Sequence, residues 1–126
     1  MENKIKIFLV DDDTVFRNAL NNTLSKTGKE SQEIRMFATG EECLQNLHQK
    51  PHVVILDYYL NGNYPDAMNG VQVLKKIKHM NPECEVIMVS SQDNIDVAFN
   101  TIEQGAYDYV TKTGSVFIKC KNGAAR

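Results

Sequence analysis

Short, mainly apolar runs alternate with amphipathic stretches along the chain. The runs occupy residues 4–10, 34–37, 53–57, 86–89 and 107–110. Runs of this length are typical of buried strands, whereas apolar residues three or four positions apart are typical of amphipathic helices. The alternation therefore predicts about five βα units around a parallel sheet, which is an α/β fold.

The helical spacing of apolar residues also predicts which side of each helix packs on the sheet. A first helix should end near Gly28, a second should follow Thr39, a third should cover about 71–80, and a fourth should end at Gly105. The residues predicted to face inward are Val15, Phe16, Ala19, Leu20, Thr23 and Leu24 in the first helix, Cys43, Leu44 and Leu47 in the second, Val73, Leu74 and Ile77 in the third, and Ile95, Ala98, Phe99 and Ile102 in the fourth.

Polar residues at the helix starts indicate N-caps. Asp13 precedes the first helix and is expected to cap it, since acidic side chains are favoured at helix N-termini. Thr39 and Glu42 have the spacing of a capping box. A last short helix is expected at about 114–124, although two glycines lower its helix propensity.

Composition limits the classes of function. The chain has 126 residues, the size of about one domain, and residues 1–126 are expected to form it. The net charge of −2 leaves no basic excess, so we expect no direct binding to nucleic acid. Apolar runs are too short for a membrane span, and the three distant cysteines Cys43, Cys84 and Cys120 fit reduced thiols in the core. A cytoplasmic protein is expected.

Chemically active side chains follow the predicted strands at their carboxyl ends. Asp11 and Asp12 end the first strand, Asp57 the third, Ser90 the fourth, and Lys112 follows the fifth. Parallel sheets bind ligands beyond these ends, so the side chains are expected to share one edge. Carboxylates suit Mg²⁺ (or Mn²⁺), a lysine and a hydroxyl suit phosphoryl oxygens, and a carboxylate can accept a phosphoryl group covalently. The edge therefore predicts phosphoryl chemistry.

Five motifs lie at or near these strand ends. They are Phe8-Leu9-Val10-Asp11-Asp12, Val53-Val54-Ile55-Leu56-Asp57, Met68-Asn69-Gly70, Val86-Ile87-Met88-Val89-Ser90-Ser91 and Gly105-Ala106-Tyr107-Asp108-Tyr109-Val110-Thr111-Lys112. Together they resemble the receiver domain of two-component response regulators, over residues 4–112. The resemblance implies a flavodoxin-like (βα)5 three-layer sandwich, with a central parallel five-stranded sheet in the order 2-1-3-4-5.

The resemblance implies that Asp57 is the phosphoacceptor. The donor would be a sensor histidine kinase or a histidine phosphotransfer protein, and the domain would catalyse its own phosphotransfer and dephosphorylation. Asp57, Asp12 and the carbonyl oxygen of Tyr59 would hold Mg²⁺, with Asp11 acting mainly through water. Lys112 and Ser90 would bind the phosphoryl oxygens.

The resemblance also implies how the phosphorylated state is read and lost. Tyr109 would be the switch aromatic, whose ring turns inward when Ser90 is drawn to the phosphate. Tyr59 and Gln92 would tune the approach of the hydrolytic water. Phosphorylation could favour a homodimer. Residues 61–67 look like an insertion beside the site, because Asp57 and Gly70 are farther apart than in most of the family.

Two other classes of function compete with this interpretation. Asp11-Asp12-Asp13-Thr14-Val15 fits the nucleophile motif of haloacid-dehalogenase-like phosphohydrolases, in which Asp11 would be the nucleophile. That family needs an acidic motif after the lysine, and residues 113–126 contain no Asp or Glu. A receiver-like module used only for binding would require the loss of a key residue, and none is lost.

Overall fold

The computed structural model describes residues 4–26, 32–60, 62, 65–92 and 94–112. Strands and helices alternate along these residues. The elements are β1 (Ile5–Val10), α1 (Thr14–Ser25), β2 (Gln32–Phe37), α2 (Gly40–Gln45) with a short 3-10 helix (Leu47–Gln49), β3 (Val53–Asp57), α3 (Gly70–Met80), β4 (Glu85–Ser90), α4 (Ile95–Glu103) and β5 (Asp108–Thr111).

All five described strands are parallel, and their order is β2-β1-β3-β4-β5. The predicted fold class and strand order are therefore confirmed. The chain reverses its winding direction between β1 and β3, where Val10 pairs with Leu56. In open α/β sheets the ligand crevice lies outside the carboxyl ends of such a strand pair.

The sheet is packed on both faces because successive strand residues point to opposite sides. In β1, Phe8 and Val10 face α2 and α3, whereas Ile7 and Leu9 face α1. The residues that cover these two faces from the helices are Cys43, Val73, Leu74 and Ile77 on one side, and Leu20 and Leu24 on the other. Burial on both faces explains why β1, β3 and β4 are mainly apolar runs, whereas the outer strands β2 and β5 carry more polar residues.

The predicted N-caps are present, with one difference. The Asp13 carboxylate accepts hydrogen bonds from the backbone amides of Val15 and Phe16. Thr39 accepts from the amide of Glu42, but the Glu42 carboxylate reaches the amide of Ala38 instead of that of Thr39. A complete capping box, which the sequence reading did not identify, joins Asn69 and Gln72 at the start of α3.

Two predicted inner faces are wrong in part. In α1, Val15 is 79% exposed and Ala19 is also exposed, so the helix packs through Leu20 and Leu24. In α4 the prediction fails more clearly, because the apolar stripe faces away from the described core. Ile95, Phe99 and Ile102 are exposed by 70%, 64% and 44%, and in the described part of α4 only Thr101 is buried. Spacing predicts a stripe but not the direction in which the helix is turned.

The helix predicted to end near Gly28 ends at Ser25, and Gly28 lies outside the described residues. The short helix expected at about 114–124 lies outside them as well. Cys43 and Cys84 are buried as predicted, and burial raises the pKa of their thiols to about 12 and about 11. Among the residues described, no helix combines the length and apolar character that a bilayer crossing requires.

The contact of Gly70 with the end of β3 allows a stability prediction. A Cβ atom on Gly70 would lie 2.4 Å from the carbonyl oxygen of Asp57 and 2.8 Å from the Cα atom of Tyr58. Because backbone atoms cannot move aside cheaply, Gly70→Ala should lower the free energy of unfolding by about 2 kcal/mol, measured by urea denaturation. In Gly62→Ala the new Cβ atom would lie 3.5 Å from Asp12 Oδ2, an ordinary contact, and the free energy of unfolding should change by less than about 0.5 kcal/mol. Equal losses in both variants would contradict this packing.

Candidate functional site

Three carboxylates meet at the carboxyl ends of β1 and β3. Asp11 and Asp57 are buried, with only 4% and 3% of their surface exposed, and Asp12 is partly buried. One carboxylate oxygen from each residue lies within 4.8 Å of the other two. Buried charges of the same sign are costly unless a cation compensates them. The distances between these oxygens show that the three carboxylates converge on one edge of the sheet, as predicted.

Lys112 brings a positive charge to two of the carboxylates. Its Nζ atom lies 2.8 Å from Asp11 Oδ2 and 3.4 Å from Asp57 Oδ1. Its backbone amide donates to the carbonyl oxygen of Ser90 at 2.7 Å, which fixes the start of the side chain beside β4. The ammonium group also lies 4.6 Å from the centre of the Phe16 ring, a distance that allows cation–π attraction.

The pKa of Asp57 shows how unbalanced these charges are. Burial raises the pKa of this carboxyl group from 3.8 to about 7, and repulsion from Asp11 adds to the effect. Lys112 and the backbone amide of Tyr59 lower the pKa but do not offset burial. Burial also lowers the pKa of Lys112, yet its contacts with Asp11 and Asp57 outweigh that effect and raise it overall. The lysine thus remains charged while Asp57 is readily protonated.

The carboxylate cluster has the chemistry of a site for a hard divalent cation. Such ions bind oxygen ligands, and Mg²⁺ is usually held by one or two carboxylates together with water and phosphate oxygens. Asp11 and Asp57 also receive backbone hydrogen bonds that fix their orientation. The amide of Asp13 donates to Asp11 Oδ1 at 2.9 Å, and that of Tyr59 donates to Asp57 Oδ1 at 3.2 Å. Asp11, Asp12 and Asp57 could together bind a metal ion.

Gln92 connects the remaining predicted residues. Its backbone amide donates to Ser90 Oγ at 3.1 Å, and its carbonyl oxygen accepts from the Tyr109 hydroxyl at 2.7 Å. Its side-chain Oε1 accepts from the Tyr59 hydroxyl at 3.2 Å. Ser90 itself is completely buried at the end of β4. The structure thus places the hydroxyl, amide and aromatic groups named from the sequence in one hydrogen-bonded group beside the carboxylates.

Two residues of α1 contribute to the site but were not identified as site residues from the sequence. Phe16 lies beneath the Lys112 ammonium group, and the Arg17 guanidinium donates to the carbonyl oxygen of Asp11. Phe16 was predicted only to pack on the core. Its position three residues after Asp13 is the single sequence signal, because the first turn of α1 starts at the edge where the carboxylates lie.

The raised pKa of Asp57 predicts a pH dependence of stability. Between about pH 4 and pH 7 the folded protein keeps a proton on Asp57 that the unfolded chain has released. The folded state then binds more protons, so without divalent cations stability falls as the pH rises through this window. Asp57→Asn has no carboxyl group at this position, so it should not lose stability in this way as the pH rises. Relative to wild type, its free energy of unfolding in EDTA should rise by about 2–4 kcal/mol from pH 4 to pH 8.

Urea denaturation at several pH values measures this difference. The matched control is Asp66→Asn, which removes an exposed carboxylate from the loop after β3. Its unfolding free energy should follow that of wild type across the whole range. Parallel pH profiles for Asp57→Asn and wild type would show that the Asp57 carboxyl group has an ordinary pKa.

Comparison with known proteins gives consistent matches. The family model of the response regulator receiver domain matches residues 7–116. A putative NtrX-like response regulator of Rickettsia bellii is 35% identical over 109 residues, which are 86% of this chain and 22% of that protein. The DNA-binding transcriptional regulator NtrC of Escherichia coli K12 is 33% identical over 107 residues, which are 84% of this chain and 21% of that protein. The chain spans about a fifth of the length of these relatives.

Solved structures of isolated receiver domains match over nearly their whole length. The receiver domain of NtrX from Brucella abortus has a TM-score of 0.78 and 30% identity, covering 94% of this chain and 96% of that one. The BeF3-activated receiver domain of DrrB has a TM-score of 0.75 and 31% identity, covering 98% and 99%. These matches give no support to the haloacid-dehalogenase alternative. The chain belongs to the family of response regulator receiver domains.

Proposed function

We propose that Asp57 is the phosphoacceptor of this receiver domain and that a divalent cation, Mg²⁺ or Mn²⁺, is bound beside it. The observation that supports this most directly is the buried position of the Asp57 carboxylate between Asp11 and Lys112. Receiver domains of response regulators interact with histidine kinases. The proposed donor is therefore the phosphohistidine of a sensor kinase or of a histidine phosphotransfer protein.

In the proposed reaction, a carboxylate oxygen of Asp57 attacks the phosphorus atom of the donor. A new P–O bond forms while the P–N bond to the histidine breaks, and the released imidazole nitrogen takes up the electron pair. A cation held by Asp11, Asp12 and Asp57 would neutralise charge on the phosphoryl oxygens. Catalysis of this kind depends on position and electrostatics, which buried and oriented side chains can provide.

The other residues of the site divide between metal binding and phosphoryl binding. We assign Asp12 to direct contact with the cation, Asp11 to contact through water, and the carbonyl oxygen of Tyr59 to a further ligand position. Lys112 is assigned to pair with the phosphoryl group, and the contacts of its ammonium group with Asp11 and Asp57 support this assignment. Ser90 is assigned to donate its hydroxyl to a phosphoryl oxygen.

The hydrogen bonds of Gln92 support the assigned roles in hydrolysis and switching. The bond between the Tyr59 hydroxyl and Gln92 joins two loops at the site, where it would restrict the water that hydrolyses the acyl phosphate. Tyr109 and Ser90 are both bound to the backbone of Gln92. Movement of Ser90 toward a phosphoryl group would break its bond to Gln92 and release Tyr109, shifting an existing equilibrium between two arrangements.

Acetyl phosphate tests the identity of the acceptor. With Mg²⁺, the wild-type protein should gain the mass of one phosphoryl group, and EDTA should abolish the gain because the carboxylate repulsion is then uncompensated. Asp57→Asn should gain none under the same conditions, as measured by intact-protein mass spectrometry. Asp13→Asn is the matched control, because asparagine also caps helices well and the site carboxylates remain.

Asp11→Asn separates the two kinds of nucleophile. If Asp57 is the acceptor, this variant should still be labelled, although more slowly than wild type. Labelling of Asp57→Asn at the wild-type rate, together with none in Asp11→Asn, would make Asp11 the nucleophile and would favour a phosphohydrolase.

For output we propose association through the exposed side of α4, promoted by phosphorylation. Ile95, Phe99 and Ile102 form an apolar stripe there, and exposed apolar patches mark interaction sites. Tyr107, 50% exposed, precedes β5, which pairs with β4 beside the Ser90 region. The most direct partner is a second copy of the domain, so a homodimer is the expected form.

Light scattering with and without beryllofluoride tests this proposal. Beryllofluoride should raise the average mass of the wild type toward that of a dimer, and Phe99→Ser should weaken the association by about tenfold or more, as expected for loss of a central aromatic contact. Met80→Ser removes another exposed apolar side chain, at the end of α3, and should behave like wild type. An unchanged mass in the wild type would exclude association as the output.

A further inference from the structure

The loop between β3 and α3 is unusually long and borders the carboxylate cluster. It covers residues 58–69, whereas connections in βα units commonly have about 2–6 residues. Leu60 near its start is completely buried. Farther along, Gly62 lies beside Asp12, because a Cβ atom on Gly62 would be in ordinary van der Waals contact with Asp12 Oδ2, at 3.5 Å. The position of this loop therefore affects the surroundings of Asp12 and Asp57.

The far end of the loop is held by a carboxylate from another element. Glu41 lies in the first turn of α2, and its Oε2 atom accepts a hydrogen bond from the backbone amide of Met68 at 2.9 Å. A bond of this kind to a charged acceptor is stronger than one between neutral groups. Met68 also packs against the core between the sheet and helices α2 and α3, so the bond fixes a residue that is already partly buried.

The N-terminal cap of helix α2 does not need Glu41. The cap of α2 is built by Thr39, which accepts from the amide of Glu42, and by Glu42, which accepts from the amide of Ala38. The second carboxylate oxygen of Glu41, Oε1, is buried and has no hydrogen-bond partner among the described residues. An unpaired buried acceptor lowers stability. Glu41 therefore has one carboxylate oxygen that is buried at a cost in stability and another that binds the loop at Met68.

Met68 is connected to the backbone of Asp57 through Gly70. Two residues later, the amide of Gly70 donates to the carbonyl oxygen of Tyr58 at 3.1 Å, and Gly70 packs directly on the carbonyl oxygen of Asp57. The bonds at Met68 and Gly70 thus fix the end of the loop relative to β3. Without the Glu41 bond, Met68 would gain conformational freedom next to the site.

We propose that Glu41 is a positioning residue, which holds the β3–α3 loop at Met68 and thereby sets the geometry of the cluster of Asp11, Asp12 and Asp57 for a divalent cation. The proposal rests in part on the proposed function, which assigns a divalent cation to these carboxylates. The link between Glu41 and the loop stands independently of it. To hold Met68, the side chain at position 41 needs a hydrogen-bond acceptor oxygen that follows two methylene groups, as in glutamate or glutamine.

Hydrogen exchange of the metal-free protein tests the link itself. Glu41→Ala should accelerate exchange of the Met68 amide, and of other amides within residues 58–69, by about tenfold relative to wild type. Glu41→Gln should restore slow exchange, because the amide oxygen of glutamine can accept the same bond. Glu42→Ala is the matched control, since it also removes one acidic residue from the first turn of α2 but affects the helix cap.

Cation binding tests the consequence for the site. The Mg²⁺ concentration at half-saturation, followed by the rise in melting temperature and by labelling with acetyl phosphate, should increase about tenfold in Glu41→Ala. It should stay within about twofold of wild type in Glu41→Gln and Glu42→Ala. Wild type that binds Mg²⁺ but is never labelled would refute the proposed function, and the melting data would still decide the role of Glu41.

Three results would overturn the positioning role. Unchanged exchange at Met68 in Glu41→Ala would show that the bond does not hold the loop. Faster exchange with unaltered Mg²⁺ half-saturation would make Glu41 a structural residue only. An equal effect of Glu42→Ala would assign the change to helix α2 or to net charge.

Discussion

The burial of two carboxylates beside a single ammonium group is the constraint on which the site depends. Asp11 and Asp57 are removed from water at adjacent strand ends, and Lys112 contacts both. One positive charge does not compensate this cluster, so burial and repulsion raise the pKa of Asp57 to about 7. A divalent cation or a proton can supply the missing charge, and only the cation leaves the Asp57 carboxylate ionised, as the proposed reaction requires. Stability and proposed reactivity therefore depend on the same imbalance.

The strand order explains how these groups come together. Asp11 and Asp57 leave the two strands at which the winding reverses, while Lys112 leaves β5, which β4 separates from β3. A long side chain is needed to cross Ser90 at the end of β4, and the Phe16 ring supports it from α1. The acidic groups thus come from the centre of the sheet and the basic group from its edge.

The strand ends supply the charged groups of the site, and hydrogen bonds from Gln92 and from the first turn of α2 hold the segments around them. On one side, Gln92 joins Ser90, Tyr59 and Tyr109. On the other side, Glu41 holds the end of the loop that follows Asp57. Gln92 uses its own backbone amide and carbonyl for two of these bonds, and Glu41 binds the backbone amide of Met68, so a change at the site can alter the course of a loop. This arrangement suits a domain whose proposed output surface lies away from the reacting atom.

The sequence by itself determined the strands, the caps of the first two helices and the residues at the strand ends, because doubly buried strands need continuous apolar runs and parallel strands expose their ends at one edge. Only the tertiary structure decided that the stripe of α4 faces outward, that Gln92 joins three predicted residues, and that Glu41 holds Met68. Local periodicity shows that a helix has an apolar side, whereas the direction in which that side faces depends on what the helix packs against. Hydrogen bonds between residues far apart in the chain depend on distances that only the folded chain sets.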